Sequence, residues 1–355
     1  MKVSIITVCL NSEKYIEDTI KSVLKQTYDD IEYIIVDGMS TDNTLNIIEK
    51  YRSLFKGRLT VISEKDTGIY NAMNKGIEKA NGEIIGIINS DDWYEVDAVA
   101  NIMEIYNKNK ESVIYGAMVN RKENIITKIE IGSYKELPNC MISHPTVFVP
   151  QNLYLKFGLF DEQFRIAADY DFMLKLFSNK VNFKFVNKVI ANFRDGGLST
   201  TNIEQCHKET LEIKKKYGYK FELISIDPEA NSQVKFLWDQ LLNNLQKNNW
   251  NKVYIYGSGM HTKKLLSYMP TNIKDKIKGI IDRQVDKENN LFEGYTKFTI
   301  EEVQGIADTI IISSIEYEYE IYNRIKYLNN KINIIRIYGA DTIQEVNKII
   351  NNRVI

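Results

Sequence analysis

Short runs of β-branched and aliphatic residues that stop abruptly at a carboxylate recur in the first part of this 355-residue chain. Glu83–Ile88 (EIIGII) leads straight into Asn89-Ser90-Asp91-Asp92-Trp93. A run this short, apolar and β-branched reads as an interior strand. Ile31–Val36 ends in Asp37-Gly38-Met39-Ser40-Thr41-Asp42-Asn43-Thr44, and Thr60–Ser63 in Glu64-Lys65-Asp66-Thr67-Gly68. The first strand, Val3–Val8, ends at Cys9-Leu10-Asn11-Ser12 before a helical stretch from Glu13 to Lys25, and another helix is expected over Ile69–Lys79. Strand and helix alternate, which predicts a parallel or mostly parallel sheet. Ligands of such sheets sit at the carboxyl ends of the strands, where these acids fall.

Adjacent acids at Asp91 and Asp92 repel each other and are costly to hold together without a cation. Oxygen ligands on a rigid strand end suit Mg²⁺ or Mn²⁺ carrying a diphosphate. The plainer alternative is that the pair caps the following helix. Asp37 has the same alternative as a turn residue, and Asp66 as a helix cap. Asp37, Asp66 and Asp91–Asp92 at successive strand ends point at one pocket.

The opening SIITVCLN, the segments VDGMSTDNT, EKDTGIYNAMNKG and NSDDWY, and the later FRIAADYDFMLKL together resemble a family 2 glycosyltransferase of the GT-A fold, the inverting, nucleotide-sugar-dependent type. The resemblance covers about Met1 to Tyr217. It implies that Asp37 binds the uracil or ribose, that Asp66 lines the nucleotide pocket and that Thr7 lies beneath the base. Asp91 would contact the ribose and Asp92, the last acid of a DxD-like motif, would hold Mn²⁺ or Mg²⁺. The chemistry requires such a set: a nucleotide site, a cation for the leaving diphosphate and a base for the acceptor hydroxyl.

The resemblance places the general base at Asp169, at the start of a helix anchored by Phe172, Leu174 and Leu176. Members of the family commonly carry Glu-Asp here; this chain has Ala168-Asp169. Asp171 is the runner-up base, with a first-turn acid complementing the helix dipole as its plainer reading. His144, in ISHPTVF where the family usually has His-Gln, is placed near the donor sugar, the metal or the diphosphate. Arg194 opens the Gly-rich loop 194–199, of the sort that closes over a diphosphate. His207 reads as a surface residue.

Composition bounds the rest. Lys+Arg 46 against Asp+Glu 47 leaves a net charge of −1 and nothing to suggest a nucleic-acid partner. Cys9, Cys140 and Cys206 are far apart, so neither a zinc site nor a disulfide framework is indicated. The first residues read as a strand rather than a signal peptide, and no apolar run approaches membrane-spanning length. The expected location is therefore cytoplasmic, with the inner face of the cell membrane open because related enzymes act there on lipid-linked or protein acceptors.

A polar break at Asp227-Pro228-Glu229-Ala230-Asn231 precedes an amphipathic helix over 233–245, whose Phe236, Leu237, Leu241, Leu242 and Leu245 are expected to pack. Lys252–Tyr256 is then followed by Gly257-Ser258-Gly259-Met260-His261-Thr262, the first unit of a Rossmann-like fold. Further strands are expected at Ile277–Ile281, ending at Asp282, at Thr309–Ile312 and at Ile332–Ile337. Gly257, Gly259 and Asp282 form a candidate ligand loop, but Thr262 stands where the dinucleotide fingerprint has Gly or Ala. The alternative is a turn with no ligand, in a scaffold or docking module.

The expected organisation is a GT-A domain over 1–222, a linker and helix over 223–250, and a smaller Rossmann-like α/β domain over 251–355. The expected activity is metal-dependent inverting transfer of a hexosyl or N-acetylhexosaminyl group. The sugar would pass from a nucleotide-diphosphate donor, a UDP-sugar first, to a hydroxyl of a surface glycan, lipid-linked or protein acceptor. A non-catalytic nucleotide-sugar sensor is the alternative, and an oxidoreductase or epimerase centred on the C-terminal domain a further one. Peripheral membrane association and a homo-oligomer are both compatible with the sequence.

Overall fold

A computed structural model describes residues 1–122, 125–194, 202–219, 232–283, 285, 290–314, 317–327, 332–339 and 343–351. Two compact units result: Met1–Asn124 with Ile129–Leu223 and Ile343–Ile355, and Ile125–Lys128 with Ile224–Thr342.

The first sheet is built on strands β1 (Val3–Cys9), β2 (Ile31–Asp37), β3 (Leu59–Ser63), β4 (Ile84–Ile87), β5 (Trp93–Tyr94), β6 (Val113–Lys122), β7 (Ile125–Glu130), β8 (Phe148–Pro150) and β9 (Phe183–Arg194), all in the first unit except most of β7. Their order along the sheet is β3-β2-β1-β4-β8-β6-β9-β5. β1 pairs in parallel with β2 and β4, and β2 with β3; β8 and β5 run antiparallel to their neighbours. Helices α1 (Ile16–Leu24), α2 (Thr44–Arg52), α3 (Ile69–Lys79), α4 (Ala98–Tyr106), α5 (Gln151–Phe157) and α6 (Ala168–Ser178) flank it.

Alternation along β1 sorts its side chains between two cores. Val3 and Ile5 meet Ile16, Ile20 and Tyr33 on one face, while Ile6 and Val8 meet Met73, Ile77 and the α6 residues Phe172 and Leu174 on the other. Both faces of the central strands are covered, which is why these segments read as unbroken apolar runs.

The second unit carries β10 (Val253–Tyr256), β11 (Ile277–Ile281), β12 (Leu291–Phe292), β13 (Tyr295–Phe298), β14 (Thr309–Ile312) and β15 (Asn333–Arg336) in the order β12-β13-β11-β10-β14-β15. All pairings are parallel except the β12–β13 hairpin. Strand order reverses between β10 and β14, the crevice position of doubly wound sheets. The expected amphipathic helix spans Ser232–Lys247, but its buried stripe is Val234, Leu237, Trp238, Leu241 and Leu245. Phe236 and Leu242 are only half-buried; Trp238, at the helical spacing from Val234 and Leu241, takes the central place.

The helix Ile343–Asn351 belongs to the first unit, where Asn347 accepts the Val189 N–H at 3.0 Å. A sequence division at 251–355 does not anticipate this return of the chain.

Candidate active site

The acids sit where successive strands deliver them. Asp37, the last residue of β2, is fully buried, and its carboxylate accepts the Ser63 hydroxyl at 2.7 Å and the Ser40 N–H at 3.1 Å. Cys9, its register partner on β1, lies with Sγ 3.7 Å from Asp37 Oδ1; burial and that carboxylate push the thiol pKa far up. Asp66 is half-buried and accepts the Gly68 N–H at 3.0 Å. A Cβ on Gly38 would stand 2.5 Å from Asp66 Oδ2, so the glycine after Asp37 lets the second carboxylate close in. Asn11 accepts the Thr41 N–H at 2.8 Å, and Ser12 and Ser90 hydroxyls meet at 2.8 Å. The loops after β1, β2 and β4 are thereby tied into one rim.

Asp91 and Asp92 part company there. Asp92 has no exposed surface; its Oδ1 accepts the Arg194 N–H at 3.0 Å and its Oδ2 has no partner. Burial, and then the charge of Asp91, push its pKa well up. Asp91 is half-buried and its carboxylate has no hydrogen bond to another of the described residues; burial raises its pKa, opposed in part by Arg194. Neither acid caps a helix: the chain forms β5 directly afterwards and α4 begins only at Ala98.

Asp92, which the resemblance assigns to the metal, is thus turned into the protein, while Asp91 is partly open to solvent. Among the described residues no three His, Cys, Asp or Glu side chains converge as a metal cage. One carboxylate plus substrate phosphates and water is nonetheless a normal Mg²⁺ arrangement.

Arg194 is not the free cation the sequence suggested. Its guanidinium lies 4.2 Å from the Tyr15 ring centroid and 4.8 Å from that of Trp93, and it pairs with Asp18 at 3.0 Å. Its Nε donates to the Asp91 carbonyl at 3.1 Å, so it braces the strand end. The rest of the Gly-rich loop lies outside the described residues. Thr7 is also displaced from its expected role: fully buried, it accepts the Tyr33 hydroxyl at 3.0 Å inside the sheet.

Asp169 stands in the first turn of α6, half-buried. Its Oδ1 accepts the Tyr170 N–H at 2.9 Å and lies 2.8 Å from the Tyr70 hydroxyl, and among the described residues Oδ2 has no partner. Tyr70 also reaches the Ile166 carbonyl at 2.7 Å, so its one hydroxyl proton is shared between two acceptors, and burial pushes its phenol pKa well up. Asp171, the runner-up, is fully buried with Lys216 Nζ 2.8 Å from its Oδ1. It faces the core, not a substrate. His144 lies in a short 3₁₀ turn, half-buried; burial lowers its pKa, countered in part by Asp169.

Sequence reasoning missed Tyr70, an ordinary aromatic in a helical pattern, and Glu209 on the helix Ile203–Lys216. Glu209 accepts the N–H groups of Arg165, Ile166 and Ala167 at 2.9, 2.9 and 3.0 Å. Burial opposes its charge, but those amides and Gln205 outweigh it and hold the carboxyl below its usual range.

In the second unit, Gly257 has φ +115° and lies so close to the Ser313 carbonyl that a side chain is excluded. Ser258 donates to Asp282. His261 bridges Ser313 (2.8 Å) and the Tyr338 hydroxyl (2.7 Å), and Trp238 Nε1 donates to the same hydroxyl at 3.1 Å. Indole N–H can only donate, so Tyr338 accepts from Trp238, while the direction of the two His261 contacts is set by its tautomer.

A mixed, parallel-rich sheet with acids along its carboxyl edge defines a glycosyltransferase of the GT-A type. The family model "Glycosyl transferase family 2" matches residues 4–164. A PGL/p-HBAD biosynthesis glycosyltransferase of Mycobacterium tuberculosis is 28% identical over 227 residues, 63% of this chain and 89% of that protein. Chondroitin synthase of Escherichia coli is 32% identical over 258 residues, 71% of this chain and 36% of that protein. S. aureus TarS 1-349, solved in complex with UDP-GlcNAc, aligns with a TM-score of 0.53 at 20% identity over 71% of this chain and 74% of that one. The mannosyltransferase PcManGT from Pyrobaculum calidifontis, solved with GDP-Man and Mn2+, aligns with a TM-score of 0.51 at 18% identity over 66% and 69%. Residues 4–164, within the first unit, match glycosyltransferase family 2, and the similarity to named glycosyltransferases supports an enzyme of that class. Among the described residues no helix is long and apolar enough to cross a membrane.

Proposed function

We propose that the first unit transfers a sugar from a UDP-sugar to an acceptor hydroxyl with inversion at the anomeric carbon, and that Asp169 is the general base. The observation that carries this reading is the contrast among acids on one sheet edge. Asp37 is saturated by Ser63 and Ser40, and Asp92 is turned inward, whereas among the described residues Asp91 and Asp169 each keep carboxylate oxygen free of protein partners. Asp37 and Asp66 shape the nucleotide pocket from fixed positions, and half-buried His144 borders the sugar beside Asp169.

In the transfer, Asp169 takes the proton as the acceptor oxygen bonds to the anomeric carbon, and the bond from that carbon to the diphosphate breaks with its electron pair on the leaving nucleotide. A divalent cation at Asp91 would supply charge neutralisation of the diphosphate. Tyr70 keeps the Asp169 carboxylate oriented through Oδ1, so Oδ2 meets the acceptor. The TarS complex with UDP-GlcNAc supports uridine as the base, and the PcManGT complex supports a metal. The acceptor is a hydroxyl of a glycan, lipid-linked or protein substrate. Gly257, Gly259 and Asp282 remain a candidate ligand loop in a second, accessory unit.

Titration of the full chain with UDP and with GDP, each with and without Mn²⁺, tests this directly. Mn²⁺-enhanced UDP binding and release of UDP from a panel of UDP-sugars are expected. Binding of GDP alone would change the donor class, and binding of neither would end the reading.

A further inference from the structure

We infer that Glu209 is a positioning residue for Asp169, a role that rests on the proposed assignment of Asp169 as base. The acid that family members carry immediately before that base is Ala168 here, fully buried and unable to hold anything polar. A carboxylate reaches the same segment from a different helix. Glu209 is 3% exposed and takes the N–H groups of Arg165, Ile166 and Ala167, the residues leading into α6. Consecutive amides converging in this way form an anion-binding concavity, filled here by the chain's own side chain.

The carboxylate is itself held. Gln205, one turn earlier on the same helix, donates to Glu209 Oε1 at 2.9 Å. From the opposite side Tyr70 contacts the Ile166 carbonyl at 2.7 Å and Asp169 Oδ1 at 2.8 Å. The segment before α6 is thus pinned by its amides to Glu209 and by a carbonyl to the residue that orients the base. The helix carrying Glu209 is anchored independently, through Lys216 to Asp171 at 2.8 Å and through Lys214 to the Asn139 carbonyl at 2.7 Å. Removing the Glu209 carboxylate therefore frees the approach to Asp169 while leaving the helix in place.

Positional error of about 1 Å at a reacting group costs on the order of a hundredfold in rate, which sets the scale of the test. In the full chain, Glu209→Gln is expected to lower kcat for UDP release from UDP-sugars by tenfold to a hundredfold, with UDP affinity unchanged. Amide hydrogen exchange at residues 165–167 should speed up while exchange in β1 and β2 stays as it was. In an Asp169→Asn background the same substitution should cost nothing more, because the group it positions is gone. Gln205→Ala, which only loosens the carboxylate, should shift kcat and exchange in the same direction by less. Unchanged exchange at 165–167, or a loss of rate that persists in full in the Asp169→Asn background, would overturn the inference. Full turnover by Asp169→Asn alone would instead remove the base assignment, and the exchange result would still judge whether Glu209 holds the segment.

Discussion

Asp92 Oδ1 accepts the backbone N–H of Arg194 at 3.0 Å, a bond that continues the pairing of β5 with the end of β9. On the proposed reading Asp92 holds that junction and Asp91 meets the cation. Asp91→Asn is expected to abolish the Mn²⁺-dependent gain in UDP affinity. Asp92→Ala should retain that gain and lower stability by about 1–3 kcal/mol, the cost of a stranded buried N–H. Calorimetric titration and thermal melts separate the two, and loss of the metal response in Asp92→Ala alone would reverse the assignment.

Asp169 and Asp171 lie two positions apart in α6 and are expected to fail differently. Asp169→Asn should cut kcat by about 10²–10⁴ with nucleotide binding intact. Asp171→Asn should lower the melting temperature, because it breaks the contact with Lys216, and leave kcat within a few-fold. Tyr70→Phe should lower kcat by about tenfold, the worth of one hydrogen bond to a charged group. Steady-state kinetics beside a melting curve decides among them.

Gly38→Ala tests the approach of the two nucleotide-pocket acids. The added methyl meets Asp66 Oδ2, and the carboxylate must swing away. UDP affinity should fall by about tenfold, one hydrogen bond to a charged group, with little change in melting temperature. Unchanged affinity would take Asp66 out of the nucleotide site.

Two buried groups give the second unit opposing pH responses. Burial lowers the His261 pKa from 6.5 to about 4, so between those values the unfolded chain binds a proton that the folded unit refuses. That contribution is lost as pH falls through the window. Glu318 is raised from 4.5 to about 7 by burial, with Arg336 opposing, so it contributes stability below 4.5 that is lost as pH rises toward 7. Melting temperatures from pH 4 to 8 should show a falling profile for His261→Asn and a rising one for Glu318→Gln. Parallel profiles would show that neither group titrates as placed.

The transferase fold was legible because its strands announce themselves. β1, β2 and β4 are apolar runs broken at an acid, and a strand end is a local event that chemistry in sequence can mark. The second unit's first strand and Gly257 turn were legible for the same reason. The division between Asp91 and Asp92 was not, because adjacent residues of one type differ only in which way the chain turns, and the turn is made by Arg194 on a distant strand. Thr7 entered through the resemblance and Arg194 as the cation of a Gly-rich loop; that Arg194 lies between Tyr15 and Trp93, and Thr7 against Tyr33, no local pattern announces.

By itself the sequence determined the alternation of strands and helices, the carboxyl edge at which acids gather and the family they signify. The alternation and the acidic edge follow from periodicity and from residue types at strand ends, which local physics reads directly; the family follows from the resemblance of whole motifs. Only the tertiary structure decided which acids keep free oxygens, that Tyr70 and Glu209 serve the segment carrying Asp169, and that the last helix returns to the first unit. Each of those depends on contacts between residues far apart in the chain, and long-range packing leaves no local mark.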